Sequence, residues 1–275
     1  MDQQPTELWT DTTIEPGECV HWRIGPLGIW VRRTESEWRV ADDRGLHETG
    51  AGENGLIVAD RKSEPPAGVE WSRWAGDSDG APFRLRPILP DRAVVVRPAQ
   101  AVALLSRGSA RIYVRIPVWI RAELATQPEA TTLIDIPTVR LSNTWFGSLF
   151  EGELCYWVQT TARRTVEEIP HEIHVTVTPV QIINNADEQL PLEKICVGTE
   201  HLGIYQTGEE LWTSQLKLIH SKEGDPQKLE PGKGPPPEAA EAELISPPRT
   251  KPKPGLASRA IGLVHSVPGA GFVMR

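Results

Sequence analysis

The stretch Ala110-Arg111-Ile112-Tyr113-Val114-Arg115-Ile116-Pro117-Val118-Trp119-Ile120-Arg121 decides the fold. Ile112, Val114, Ile116, Val118 and Ile120 fall on one parity, and Arg111, Tyr113, Arg115, Trp119 and Arg121 on the other. A period of two is that of a strand with one face in a core and the other turned outward. Read alone, residues 110–121 form one long strand.

Working outward, the same alternation recurs in short runs separated by turn formers. Val20, Trp22 and Ile24 alternate with His21 and Arg23 before the turn Gly25-Pro26-Leu27-Gly28; Ile29 and Val31 follow, then Trp38-Arg39-Val40. Residues 46–80 are rich in Gly, Glu, Asp and Ser and read as loops around one strand at Leu56-Ile57-Val58. Phe83-Arg84-Leu85-Arg86 and Ala93-Val94-Val95-Val96 complete a first set. Beyond residue 121, short strands are expected at 138–142, 153–160, 172–178, 180–183, 192–197, 202–205 and 211–219, the spacing of a sandwich or barrel. At Pro179 the apolar parity slips by one, which predicts a bulge or a change of sheet. Residues 98–106 and 121–127 are the only places suited to a short helix.

The expected fold is all-β: two antiparallel β-sandwich-like units in series, over residues 1–105 and 106–220, then a tail over 221–275. The tail turns to Lys, Glu, Gly and Pro, with Gly234-Pro235-Pro236-Pro237 and Lys251-Pro252-Lys253-Pro254. Such composition buries too little apolar surface to offset chain entropy, so disorder is expected, apart from a weakly apolar end at residues 260–274.

Composition narrows the function. The net charge of −8 opposes broad binding to nucleic acid, which needs a clustered basic field. No window approaches the roughly 18–20 apolar residues that span a bilayer, and the first ten residues lack a signal-peptide pattern. The 3 cysteines, Cys19, Cys155 and Cys196, show no short paired spacing, which points to a reducing, cytoplasmic setting.

No motif for catalysis or a cofactor stands out. There is no G-x-G-x-x-G before a helix, no Walker-type lysine motif and no serine in the strand-turn-helix setting of a nucleophile elbow, so no cofactor, metal or catalytic residue is assigned. His171 and His174, three apart on a strand, point to opposite faces and share an ion poorly. A site gathered from distant residues such as His174, His201, Cys155 and Cys196 stays open, because strands bring remote positions together. Glu151 with Glu153, or Glu167 with Glu168, offers an acid and base only at separations that sequence does not reveal.

Two features suit binding. Arg111, Tyr113, Arg115, Trp119 and Arg121 form a stripe of guanidinium groups and rings fit for anions, stacked bases or an acidic partner, or for pairing with acids on a neighbouring strand. Asn143, Trp145 and Phe146 read as a polar turn with exposed rings, a common binding loop, or else as a corner that plugs the core.

The blocks Leu141-Ser142-Asn143-Thr144-Trp145-Phe146-Gly147 and Glu151-Gly152-Glu153-Leu154-Cys155-Tyr156 resemble a prokaryotic domain-of-unknown-function family. Trp22-Arg23-Ile24-Gly25-Pro26-Leu27, Trp30-Val31-Arg32-Arg33 and Arg115-Ile116-Pro117-Val118-Trp119 look like its other blocks, so the resemblance covers residues 22–220. It brings no catalytic residues. Some members are associated with small mechanosensitive channels, which implies an accessory role beside a membrane protein. The expectation is therefore a non-enzymatic cytoplasmic adaptor that binds another protein, a membrane channel among the candidates. The alternative is a sandwich-fold enzyme or ligand-binding protein for a carbohydrate or small anion.

Overall fold

The computed structural model describes residues 9–44, 56–62, 64–76, 80–98, 102–147, 152–192, 194–221 and 228–250. The first strands are β1 (Cys19–Ile24), β2 (Leu27–Arg33), β3 (Glu37–Asp43), β4 (Leu56–Asp60), β5 (Trp71–Ala75), β6 (Phe83–Ile88) and β7 (Val94–Pro98). They are followed by β8 (Val102–Leu104), β9 (Ser109–Pro117), β10 (Trp119–Leu124), β11 (Thr131–Pro137), β12 (Ser142–Phe146) and β13 (Glu153–Ala162). The remainder are β14 (Val175–Asn184), β15 (Leu190–Leu192), β16 (Ile195–Val197), β17 (Ile204–Thr207), β18 (Glu210–Thr213), β19 (Leu216–His220), β20 (Lys228–Pro231) and β21 (Glu243–Ser246). Two turns of 3-10 helix, at Val166–Glu168 and Pro237–Ala239, are the only helical elements among the described residues. The molecule is all-β, as the alternation predicts. Of the two places suited to a short helix, 98–106 and 121–127, neither forms one among the described residues: β8 and β10 run through those segments.

The strands form a five-stranded sheet ordered β4-β1-β2-β3-β5, a three-stranded sheet β11-β10-β6 and a four-stranded sheet β12-β13-β7-β16. A seven-stranded sheet is built around β14, and β15 pairs β8. Most ladders are antiparallel; β13 with β7, and β14 with β18 and β19, run parallel. Among the described residues of 46–80 there are two strands, β4 and β5, rather than one, because Trp71 and Trp74 lie on β5 opposite Ala41 and Trp38.

The long strand expected over 110–121 breaks in two. Pro117 cannot donate to a ladder, and at Val118 the chain leaves β14 for β6 and β11. Val118 spans the break: its N–H donates to the His174 carbonyl at 2.9 Å, and its carbonyl accepts from Thr138 N at 3.2 Å. Parity survives the break, and Ile112, Val114, Ile116, Val118 and Ile120 are all buried.

At Pro179 no bulge forms against β9, since the register runs unshifted from Val175↔Pro117 to Ile183↔Ser109. The other edge of β14 changes partner there instead, from β18 at Thr176 and Val177 to β19 from Val180 onward.

Sheets cross the 105/106 division drawn from sequence. β6 pairs β10, β7 pairs β13 and β8 pairs β15. A single apolar cluster takes Val31, Phe83 and Val94 from one side of that division and Ile116, Val180 and Leu218 from the other. Each such fully buried side chain contributes about 1.5–3 kcal/mol.

Over residues 228–250 the proline-rich segment departs from the expected disorder. β20 pairs β19 and β21 pairs β17, so the backbone groups of this segment find ladder partners that composition does not reveal. Ala239 and Ala242 are buried with Tyr113, Tyr205 and Trp212. Ser246 Oγ donates to the Pro87 carbonyl and Arg249 Nε to the Leu89 carbonyl at 2.7 Å, tying the segment to residues far away in sequence. Residues 251–275, with the apolar stretch at 260–274, lie outside the described residues.

Candidate functional site

Asn143, Trp145 and Phe146 lie on a strand, not in a loop. β12 pairs antiparallel with β13, with Asn143 opposite Tyr156, Trp145 opposite Leu154 and Phe146 opposite Glu153. Alternation then divides the side chains. Phe146 turns inward, 3% exposed, into a cluster with Cys155, Cys196 and Val95. Trp145 and Leu154 turn outward, 53% and 46% exposed, an unusual state for two large apolar side chains facing each other across a ladder.

Around that pair the outward face continues through polar and aromatic groups. Arg92 Nη1 donates to Asn143 Oδ1 at 3.3 Å, and its guanidinium carbon lies 5.4 Å from the Tyr156 ring centroid. The Tyr156 hydroxyl donates to Asp91 Oδ1 at 2.9 Å; burial and that acceptor push its pKa above the ordinary value. Trp119 tilts against Tyr156 at 6.1 Å, and Arg249 lies over Trp119 at 5.5 Å. Tyr156 thus joins Trp119 of the stripe to Asn143 of the second block, two candidates separate in sequence.

The rest of the stripe is engaged within the molecule. Arg111 Nη2 donates to Glu238 Oε2 at 2.6 Å and Arg111 Nη1 to Gln215 Oε1 at 3.0 Å, while the Tyr113 hydroxyl donates to Glu238 Oε1 at 2.6 Å. Arg115 pairs with Glu172 at 3.0 Å. Arg121 forks onto Asp135 at 2.7 and 2.8 Å, and Arg249 adds a third bond to that carboxylate at 2.9 Å. Burial pushes the Asp135 carboxyl up, but the two guanidinium groups outweigh it and hold the carboxyl below its ordinary range. These arginines neutralise acids from β11, the β13–β14 connection and the proline-rich segment. No period in the sequence indicates partners so distant.

The histidines sit apart. His171 Nε2 is 3.3 Å from Glu210, His174 Nε2 is 3.4 Å from Glu172 and His201 Nε2 is 3.3 Å from Glu200. Of the distant residues considered for a metal, Cys155 and Cys196 do meet, with sulfurs 3.7 Å apart beside Glu153. Glu151 lies outside the described residues. A surface cleft lined by Asp42, Asp43, Arg44 and Arg140 is also present, in which Arg44 binds Asp42 at 2.6 Å and the Pro137 carbonyl at 2.5 Å.

Sequence reading missed Leu154, Tyr156, Arg92 and Arg249 as parts of the outward face. The signal for the first two was present, because Leu154 and Tyr156 alternate with Cys155 and Trp157. No helix among the described residues is long and apolar enough to cross a membrane. No curated protein and no solved structure matches this chain. One family does match, over residues 8–265, and the chain belongs to it: the family described as Protein of unknown function (DUF432).

Proposed function

We propose that the chain is a non-enzymatic cytoplasmic adaptor that docks a second protein, a membrane channel being the first candidate, on the outward face of β12 and β13. The observation that carries this reading is the exposed cross-strand pair Trp145 and Leu154. A large aromatic anchor beside an aliphatic one, rimmed by Asn143, Arg92 and Tyr156, has the make-up of a binding hot spot. β12 also ends its sheet among the described strands, which offers a partner a strand edge as well as side chains. Pairing of Arg111, Arg115 and Arg121 with Glu238, Glu172 and Asp135 favours this reading over a small-anion site, since those guanidinium groups already hold carboxylates.

The test is affinity capture from soluble extract and from detergent-solubilised membranes, with Trp145→Ser plus Leu154→Ser as the control. A specific partner held by the natural chain and lost by the double variant supports the reading. A partner held equally by both, or none from either fraction, overturns it.

A further inference from the structure

On the opposite face of β13, two cysteines 41 residues apart come together. Cys155 lies on β13 and Cys196 on β16, 0% and 2% exposed, walled by Phe146, Val95 and Trp157. Their sulfurs are 3.7 Å apart, and Cys155 Sγ is 3.5 Å from Glu153 Oε1. All three ligand atoms lie within 4.8 Å of one another.

These spacings are the edges of a small tetrahedron. With zinc–sulfur bonds of about 2.3 Å and zinc–oxygen bonds of about 2.0–2.2 Å, tetrahedral angles place two sulfurs about 3.8 Å apart and a sulfur and an oxygen about 3.5 Å apart. Two of the three edges therefore match a ligand set, and the third, from Glu153 to Cys196, lies within 4.8 Å. Two other readings compete. Buried thiols often serve as small apolar groups with a weak S–H donor, and in that role Cys155 donates to Glu153 Oε1; metal uptake separates the two readings. A disulfide is the second. The two cysteines are free, their sulfurs 3.7 Å apart against the roughly 2.05 Å of a disulfide bond.

We propose that Cys155, Cys196 and Glu153 bind a zinc-class divalent cation, with water in the fourth position. Both thiols release their protons to solvent as the ion enters, the ion stays divalent and no oxidant is consumed. The two buried thiolates carry two negative charges, a load that they hold side by side only with a cation between them, and Glu153 adds a carboxylate from the exposed side. Two thiolates select zinc over magnesium or calcium, which prefer all-oxygen shells. This site is independent of the docking face, since the two use opposite sides of β13.

The experiment is a cobalt(II) titration of the reduced, metal-stripped protein, followed by zinc loading and elemental analysis after desalting. The expected result is one ion per chain, with a thiolate-to-cobalt charge-transfer band. That band is lost in Cys155→Ala and in Cys196→Ala and kept in Cys19→Ala. Glu153→Gln, at the open side of the site, should weaken affinity by at least the roughly 10-fold that losing even an outer partner costs; this variant keeps the test decisive if a cysteine variant fails to fold. No stoichiometric uptake by the natural chain overturns the proposal. So does uptake that survives loss of both cysteines, or affinity unchanged in Glu153→Gln.

Discussion

Gly25, in the turn between β1 and β2, lies against the imidazole of His174: a methyl group built on its α carbon would stand 2.2 Å from Nδ1. The same glycine has φ +56°, in the left-handed region where a side chain is strained. The contact clamps the first hairpin to the segment entering β14, next to the point where Val118 bonds the His174 carbonyl. Gly25→Ala meets both penalties at once. It should destabilise the fold by about 1–3 kcal/mol, which denaturant unfolding measures, and a second change of His174→Ala should recover the part due to the clash.

His174 should also make stability depend on pH. Burial lowers its pKa, with Glu172 drawing it up and Arg115 pushing it further down. The unfolded chain then takes the proton first. From the ordinary histidine value of about 6.5 down to the lower folded value, the unfolded state binds more protons, so stability is full above that window and is lost as pH falls through it. The melting temperature should fall as pH is lowered through about 6.5, and fall less in His174→Gln. His21, also shifted down by burial, keeps part of the slope in that variant.

Neighbours on β12 should respond oppositely. Phe146 is 3% exposed and Trp145 53%. Phe146→Ala opens a cavity beside Val95 and Cys155 and should cost about 3–5 kcal/mol, while Trp145→Ala should stay within about 0.5 kcal/mol. Chemical denaturation of the two variants checks the parity of the strand, and equal losses would show that Trp145 is structural.

Arg249 anchors the proline-rich segment through the Leu89 carbonyl, Asp135 and the face of Trp119. Arg249→Ala should lower stability by about 1–3 kcal/mol, read as a fall of about 2–4 °C in Tm per kcal/mol. Arg249→Lys should recover only part, because an ammonium lacks the planar fork that meets carbonyl and carboxylate together. An unchanged Tm in Arg249→Ala would mean that the segment is held by its ladders alone.

Glu238 accepts from both Arg111 and Tyr113. Its carboxyl lies below the ordinary range: burial raises it, and the Arg111 and Tyr113 hydrogen bonds outweigh that. Glu238→Ala leaves two half-buried donors without their acceptor and should cost about 1–3 kcal/mol. Arg111→Ala in the same chain should add less than its separate cost, as a double-mutant cycle would show.

Local alternation settled a good deal of this molecule. The parity of residues 110–121 assigned Ile112 through Ile120 to the core, and the strands of the first hairpins follow their Trp, Val and Ile periods, because side chains on a strand must take opposite faces whatever the neighbours are. The family blocks around residues 141–156 were equally legible. What the sequence withheld is which strands meet. A single strand does not encode its partners, so the break at Val118 and the division of the arginine stripe between Glu238, Glu172 and Asp135 appear only once the sheets assemble. The same holds for the ordered part of the proline-rich segment, whose backbone hydrogen bonds belong to β19 and β17 rather than to its own composition. It holds most of all for Cys155, Cys196 and Glu153, because only a fold that seats β7 between β13 and β16 brings residues 41 apart to within ligand distance.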